Sequence, residues 1–209
     1  MRIAHMIITY TYPMLTLPPS LEIRGWSEMH PLNGPAWSLF FEYIANILYA
    51  LFIRKFSNKL LSVLVIIAAV ALIHLAVTSP NGDVIGGWSI EPPQLRIGFT
   101  RLLYPFFAGL LLSRVAKPLQ IKNAFLWCSL LLILVLAMPR VGGKEHLWMN
   151  GLYDSLCIVF VFPLIVFIGA SGGLTGKTSS SLNKFLGDIS YPIYIIYIYF
   201  ILIVRHSFL

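Results

Sequence analysis

The stretch Asn33-Gly34-Pro35-Ala36-Trp37-Ser38-Leu39-Phe40-Phe41-Glu42-Tyr43 opens a run of apolar residues that decides the fold. Asn33 or Gly34 can cap the start of a helix, and Pro35 suits its first turn, where the missing N–H costs nothing. The run is long and apolar enough to predict a membrane helix over 37–53. It contains one carboxylate.

Polar residues recur along this helix at spacings of four, four and three, which places them on one face: Ser38, Glu42, Asn46 and Tyr49. A charge at the centre of a membrane helix costs about 2.5–3.5 kcal/mol, and such residues usually face a polar interior. The stripe therefore indicates an inward face that lines a site. The alternative is that Glu42 lies at the headgroup level and snorkels to water.

The composition places the chain in the membrane. Hydrophobic residues make up 58% of the 209 residues and charged residues 11%, whereas soluble chains carry about 25% charged residues. The net charge of +7 is spread over short loops between apolar runs, so it indicates membrane topology and the lipid bilayer as partner, with no nucleic acid. Cys128 and Cys157 lie in apolar runs and are too few for a disulfide framework or a zinc cluster, and no metal site is expected.

The apolar runs predict an all-α, polytopic transmembrane helix bundle of about six spans plus a partial N-terminal one. The spans are 37–53, 60–77, 102–115, 124–138, 152–170 and 189–204. Between the second and third lies a loop rich in turn and breaker residues, including Pro92 and Pro93. Lys and Arg concentrate in the loops 54–59, 114–123 and 171–184, which the positive-inside rule assigns to the cytoplasm. Residues 1–209 are expected to form a single integral-membrane domain.

Three further residues could carry chemistry. His30 precedes the Glu42 helix, and a histidine near a carboxylate can act as a general acid or base; otherwise it is an ordinary loop histidine. Arg101 opens the third span and is either a snorkelling arginine or a cation that pairs with Glu42 or holds an anionic ligand. His74 is expected to be interfacial or lumen-facing. Gly98 and Gly109 flank the Arg101 region and would allow close helix approach.

Three segments, in the right order, resemble a known family. Residues 30–42 resemble the N-G-P-x-W-S-L-x-x-E signature of the type-three membrane acyltransferases, which include bacterial O-acetyltransferases of surface polysaccharides and lipo-oligosaccharides. Residues 101–109 resemble the R-x-x-x-x-F-x-x-G span of that family, and residues 186–194 resemble its closing L-G-x-I-S-Y-x-x-Y helix.

The resemblance implies transfer of an acyl group, with acetyl expected, from acyl-CoA to a hydroxyl of a surface glycan or lipid-linked sugar. It implies a multi-pass protein of the bacterial inner membrane without a bound cofactor. Glu42 would orient or charge-balance the site, Arg101 would hold the donor or oppose developing negative charge, and His30 is a further catalytic candidate. The expected substrate-binding residues are Asn33, Trp37, Ser38, Asn46, Ser190 and Tyr194.

One departure from the family affects the expected activity. The first family helix carries an Arg and a His that the chemistry is thought to need, with the His as the base for the acceptor hydroxyl, ahead of His30. This chain shows no such pair at the family spacing. The chain therefore resembles the C-terminal portion of a longer, N-terminally truncated enzyme. Two alternatives follow: a non-catalytic membrane remnant or scaffold, and a transporter in which Glu42, His74 and Arg101 serve permeation or proton relay.

Overall fold

The computed structural model describes residues 27–30, 36–117, 119–172, 181 and 184–190. The expected N-terminal partial span, the expected helix cap at Asn33 or Gly34, and nearly all of the sixth span lie outside these residues. Within them the chain is helical, and the only β-type pairing is an isolated bridge between Ile121 and Gly172.

The helices follow the apolar runs of the sequence. Their bounds are α1 Ala36–Leu51, α2 Asn58–Thr78, α3 Pro92–Val115, α4 Ala124–Leu136, α5 Leu147–Leu156 and α6 Phe162–Ala170. A 3₁₀ turn, Ile53–Lys55, follows α1, and a π-helical segment, Cys157–Val161, joins α5 to α6 without a break.

Three stretches are long and apolar enough to cross a membrane: α2, α3 and the continuous helix Leu147–Ala170. Helices α1 and α4 are apolar but shorter. The all-α transmembrane class is thus confirmed, while a count of six spans is not established by the part of the chain that the structure describes.

Helix α3 begins at Pro92, well before the predicted start at residue 102. The two prolines that the sequence reading took as breakers lie in its first turn. Backbone N–H groups there have no intrahelical partner, so proline is tolerated, and its fixed φ favours the helix. With the earlier start, the predicted short span 102–115 becomes the helix Pro92–Val115, which is long enough to cross a membrane.

The described residues divide into two compact units. One contains 27–30, 36–44, Gly87–Gly98, 181 and 184–190; the other contains Ala45–Gly86, 99–117 and 119–172. The prediction of a single domain stays a prediction, and the two units are described separately below.

In the second unit the core lies between α2 and α3. Leu61 and Leu72 of α2 are fully buried and pack with Tyr104 and Phe107 of α3. Burying such side chains against one another gives close-packed contact, which is what holds helices together in lipid, where the hydrophobic effect between helices is small.

Small residues allow the helices of this unit to approach closely. Helix α2 packs against α5, and α4 against α6. A Cβ at Gly151 would collide with the backbone carbonyl of Ala76 in α2. A Cβ at Gly109, by contrast, would meet no atom of the described residues within 4 Å, so the expected close helix approach is not found there.

A side-chain hydrogen bond joins the π-helical segment to α3. Pro163 has no N–H, so it cannot donate to the carbonyl of Val159 four residues earlier. The hydroxyl of Tyr104 donates to that carbonyl at 2.6 Å. In a low-dielectric surrounding an unsatisfied carbonyl is costly, so this hydrogen bond ties α3 to the widened turn.

Candidate functional site

Among the described residues of the first unit, His30 is the titratable residue that is buried. Only 6% of its surface is exposed, and its Nε2 atom is buried without a hydrogen-bond partner among the residues that the structure describes. Burial lowers the pKa of His30, because desolvation disfavours the charged imidazolium. The imidazole is therefore neutral at pH 7 and can accept a proton.

The loop before α3 holds the His30 segment. The backbone N–H of Met29 donates to the carbonyl of Trp88 at 2.8 Å. His30 comes directly after Met29, and Ser89 comes directly after Trp88. Both His30 and Ser89 are buried. The Ser89 hydroxyl accepts from the backbone N–H of Glu91 at 3.2 Å.

Two glycines let α1 pack against this loop and the start of α3. A Cβ at Gly87 would lie 3.0 Å from the Trp37 ring, and a Cβ at Gly98 would collide with the ring of Phe41. Trp37 and Phe41 themselves meet edge to face with centroids 6.0 Å apart. The expected close approach at Gly98 is found, and it fixes one side of α1.

The adjacent face of α1 carries the polar stripe. Because α1 is a continuous helix, Ser38, Glu42 and Asn46 lie on one face. Ser38 is half-buried, and Glu42 and Asn46 are exposed, whereas Phe41 and Ala45 of the neighbouring face are buried. The outer part of the stripe, at Glu42 and Asn46, is thus on the surface of the described residues.

Arg101 lies in the second unit. Its Nη1 donates to the carbonyl of Gly86 at 2.6 Å, so the guanidinium anchors the end of the loop that precedes α3. This contact uses one of the five N–H donors of the side chain. Glu42 belongs to the first unit, and its pairing with Arg101 stays a prediction.

The remaining candidates differ in what the structure says of them. Ser190 is exposed, and its hydroxyl donates to the carbonyl of Gly187 at 2.8 Å. His74 is exposed on α2. Asn33 and Tyr194 lie outside the described residues.

Sequence reasoning missed two polar residues. Ser89 is 1% exposed, yet it lies in a loop whose glycines and prolines gave no signal beyond a turn. Asp154 lies within the membrane-length helix Leu147–Ala170 and lines a cavity. A carboxylate inside an apolar helix is a functional signal by default, and this one could have been found from the sequence.

Apolar helices long enough to span a bilayer, together with polar side chains carried on them, define a multi-pass helical membrane protein. The sequence profile of the acyltransferase 3 family, described as an acyltransferase domain, matches residues 2–209. The chain belongs to that family, and it is a membrane acyltransferase in the general sense. No curated protein and no solved structure matches it.

Proposed function

We propose that the chain transfers an acyl group, acetyl in the first instance, from acyl-CoA to a hydroxyl of a surface glycan or a lipid-linked sugar in the bacterial inner membrane. Membership of the acyltransferase 3 family supports acyl transfer as the class of reaction. The observation that carries a catalytic assignment is the buried, neutral imidazole of His30, whose Nε2 has no partner among the described residues.

The reaction needs a base for the acceptor hydroxyl. In the proposed step, the hydroxyl proton passes to a neutral imidazole nitrogen while the oxygen attacks the thioester carbonyl carbon. The carbon–sulfur bond then breaks, and the leaving thiolate takes up the proton to give free CoA. His30 has the protonation state that this role requires.

Glu42 and Arg101 stabilise the charges that form during the reaction. A carboxylate beside an imidazole stabilises the imidazolium that forms, which is the role we assign to Glu42. The guanidinium of Arg101 is suited to the phosphates of CoA or to the negative charge that develops on the thioester oxygen. Its bond to the Gly86 carbonyl would hold it in one orientation for that task.

The proposal is tested with membrane vesicles that contain the full chain, supplied with acetyl-CoA labelled in the acetyl group and a glycan or lipid-linked sugar fraction. His30→Gln should lower turnover by about 100-fold or more, the range for loss of a general base. Glu42→Gln should lower it by a smaller factor. The control Glu91→Gln removes an exposed loop carboxylate and should leave turnover unchanged.

Turnover that is equal in His30→Gln and wild type would remove His30 from the mechanism. Absence of labelled product with the wild-type chain would favour a non-catalytic scaffold. A transporter would instead move protons or solutes across the vesicle membrane without forming acylated product. Family membership favours acyl transfer over transport.

A further inference from the structure

A cavity in the second unit has walls of two kinds. Its volume is about 270 Å³, and it is bounded by the end of α4, the loop that follows, α5 and the π-helical segment. Apolar side chains form most of the lining, among them Val135, Leu136, Ile158 and Phe162. Arg140 and Asp154 bring one positive and one negative charge to the same space.

The guanidinium of Arg140 is held in place by the chain. Its Nη2 donates to the carbonyls of Asn81 at 3.0 Å and Gly82 at 3.2 Å. Both acceptors are neutral, so these bonds fix the guanidinium without neutralising its charge. The side chain can therefore also attract an anionic group.

Asp154 is the negative partner. It lies in the third turn of Leu147–Ala170, about 10 Å along the axis from the helix start. The charged side chains near it on neighbouring segments are Arg140 and Asp83. Because Arg140 and Asp154 both line the cavity, a ligand with a single charge can be attracted by only one of them and is repelled by the other.

The ligand that satisfies all these groups is zwitterionic and carries hydrocarbon. A phosphate meets Arg140, a primary ammonium meets Asp154, and acyl chains continue along the apolar walls. A carboxylate accepts N–H hydrogen bonds, which a quaternary choline cannot donate. Choline is usually held by an aromatic cage, and only Tyr153 and Phe162 are aromatic among the lining residues.

We propose that this cavity binds the headgroup of a phospholipid with a primary amine, of the phosphatidylethanolamine type. The cavity is slightly smaller than the roughly 300–1,000 Å³ of drug-sized sites, so it suits a headgroup while the tails remain in the bilayer. Loop charges predict that this end of the helices faces outward. The inference does not depend on acyl transfer.

Lipid binding to the full chain in detergent micelles is measured by native mass spectrometry, with dioleoylphosphatidylethanolamine and dioleoylphosphatidylcholine as probes. The ethanolamine lipid should bind about tenfold more tightly, as expected for one charge-assisted hydrogen bond. Asp154→Asn should abolish this preference. Glu145→Gln removes an exposed carboxylate from the neighbouring loop and should retain it.

Arg140 is tested by two variants, because its bonds to Asn81 and Gly82 also support the loop. Arg140→Gln should weaken the binding of both lipids. Arg140→Lys keeps the charge and should weaken their binding less. If Arg140→Gln does not fold, the lipid preferences of Asp154→Asn and Arg140→Lys still test the proposal. Equal affinity of the wild type for the two lipids, or a preference that survives Asp154→Asn, overturns the proposal.

Soluble glycerophosphoethanolamine separates a lipid from a free phosphoamine. It lacks the acyl chains and should fail to displace the bound lipid at equal concentration. Displacement as effective as that by the lipid itself would show a site for a soluble headgroup and would overturn the lipid assignment.

Discussion

The hydroxyl of Tyr104 donates a hydrogen bond at 2.6 Å to the carbonyl of Val159, the carbonyl that Pro163 cannot serve in an α-helix. Tyr104 is 4% exposed. The π-helical segment therefore contains a carbonyl that lacks its α-helical donor because of Pro163, and the hydroxyl of Tyr104 serves as a donor to it.

Tyr104→Phe should lower the free energy of unfolding by about 0.5–1.5 kcal/mol, because it removes a hydrogen bond to a carbonyl in an apolar surrounding. Denaturant unfolding of the chain in detergent micelles, followed by circular dichroism, measures the change. Tyr43→Phe, at a position 47% exposed, is the matched control and should change it by less than about 0.5 kcal/mol.

The role of the proline can be tested with a second substitution. Pro163→Ala restores a backbone N–H, so Tyr104→Phe should cost less in that background than in the wild type. An equal cost in both backgrounds would show that the hydroxyl stabilises the fold for another reason.

Gly151→Ala should destabilise the second unit by about 1–3 kcal/mol, since the added methyl collides with the Ala76 carbonyl and forces α2 and α5 apart. Gly109→Ala is the control, because Gly109 has open space and alanine favours the helix. Thermal unfolding in micelles should show a lower midpoint for the first variant only. Equal midpoints would contradict the backbone contact.

The stability of the fold should depend on pH through His30. Burial lowers the pKa of His30 in the folded protein, whereas the unfolded chain keeps a value of about 6.5. The unfolded state therefore binds the proton first as the pH falls. Stability is complete above about pH 6.5 and is lost as the pH falls through the lower folded pKa.

Unfolding curves recorded between neutral and mildly acid pH measure this slope. His30→Gln should flatten it, and His146→Gln, which removes an exposed histidine, should retain it. A wild-type slope that His30→Gln does not change would show that other groups account for the acid sensitivity.

Arg101→Lys should raise the KM for acyl-CoA by about tenfold with a smaller effect on kcat, because lysine keeps the charge but loses the planar fork. Arg96→Lys, at an exposed position of α3, is the control for a general effect of the substitution. A fall in kcat at constant KM would instead assign Arg101 to the transition state.

The sequence predicts the helices well where apolar runs are uninterrupted. The expected span 60–77 lies within α2, and 152–170 lies within Leu147–Ala170. The predicted start of α3 at residue 102 was wrong, because the pair Pro92 and Pro93 is equally compatible with a loop and with a first helical turn. The hydrogen bond from Tyr104 to the π-helical segment joins residues 55 apart in the sequence, so no local pattern reveals it.

The candidate site could be predicted only in outline. The spacing of Ser38, Glu42 and Asn46 gives their common face, because an α-helix fixes it. The burial of His30 depends on a backbone bond to Trp88, which is distant in sequence. The cavity of Arg140 and Asp154 likewise needs the packing of separate helices, so it could not be derived from the sequence.

The contact of Gly151 with Ala76 bears on how this protein is made. Helix α2 is synthesised before α5, and α3, which is long and apolar enough to span a membrane, lies between them in the sequence. The two backbones can meet only once the later helix is in place, by lateral association of already inserted helices. For this unit, biogenesis therefore finishes within the plane of the membrane, after translocation is over.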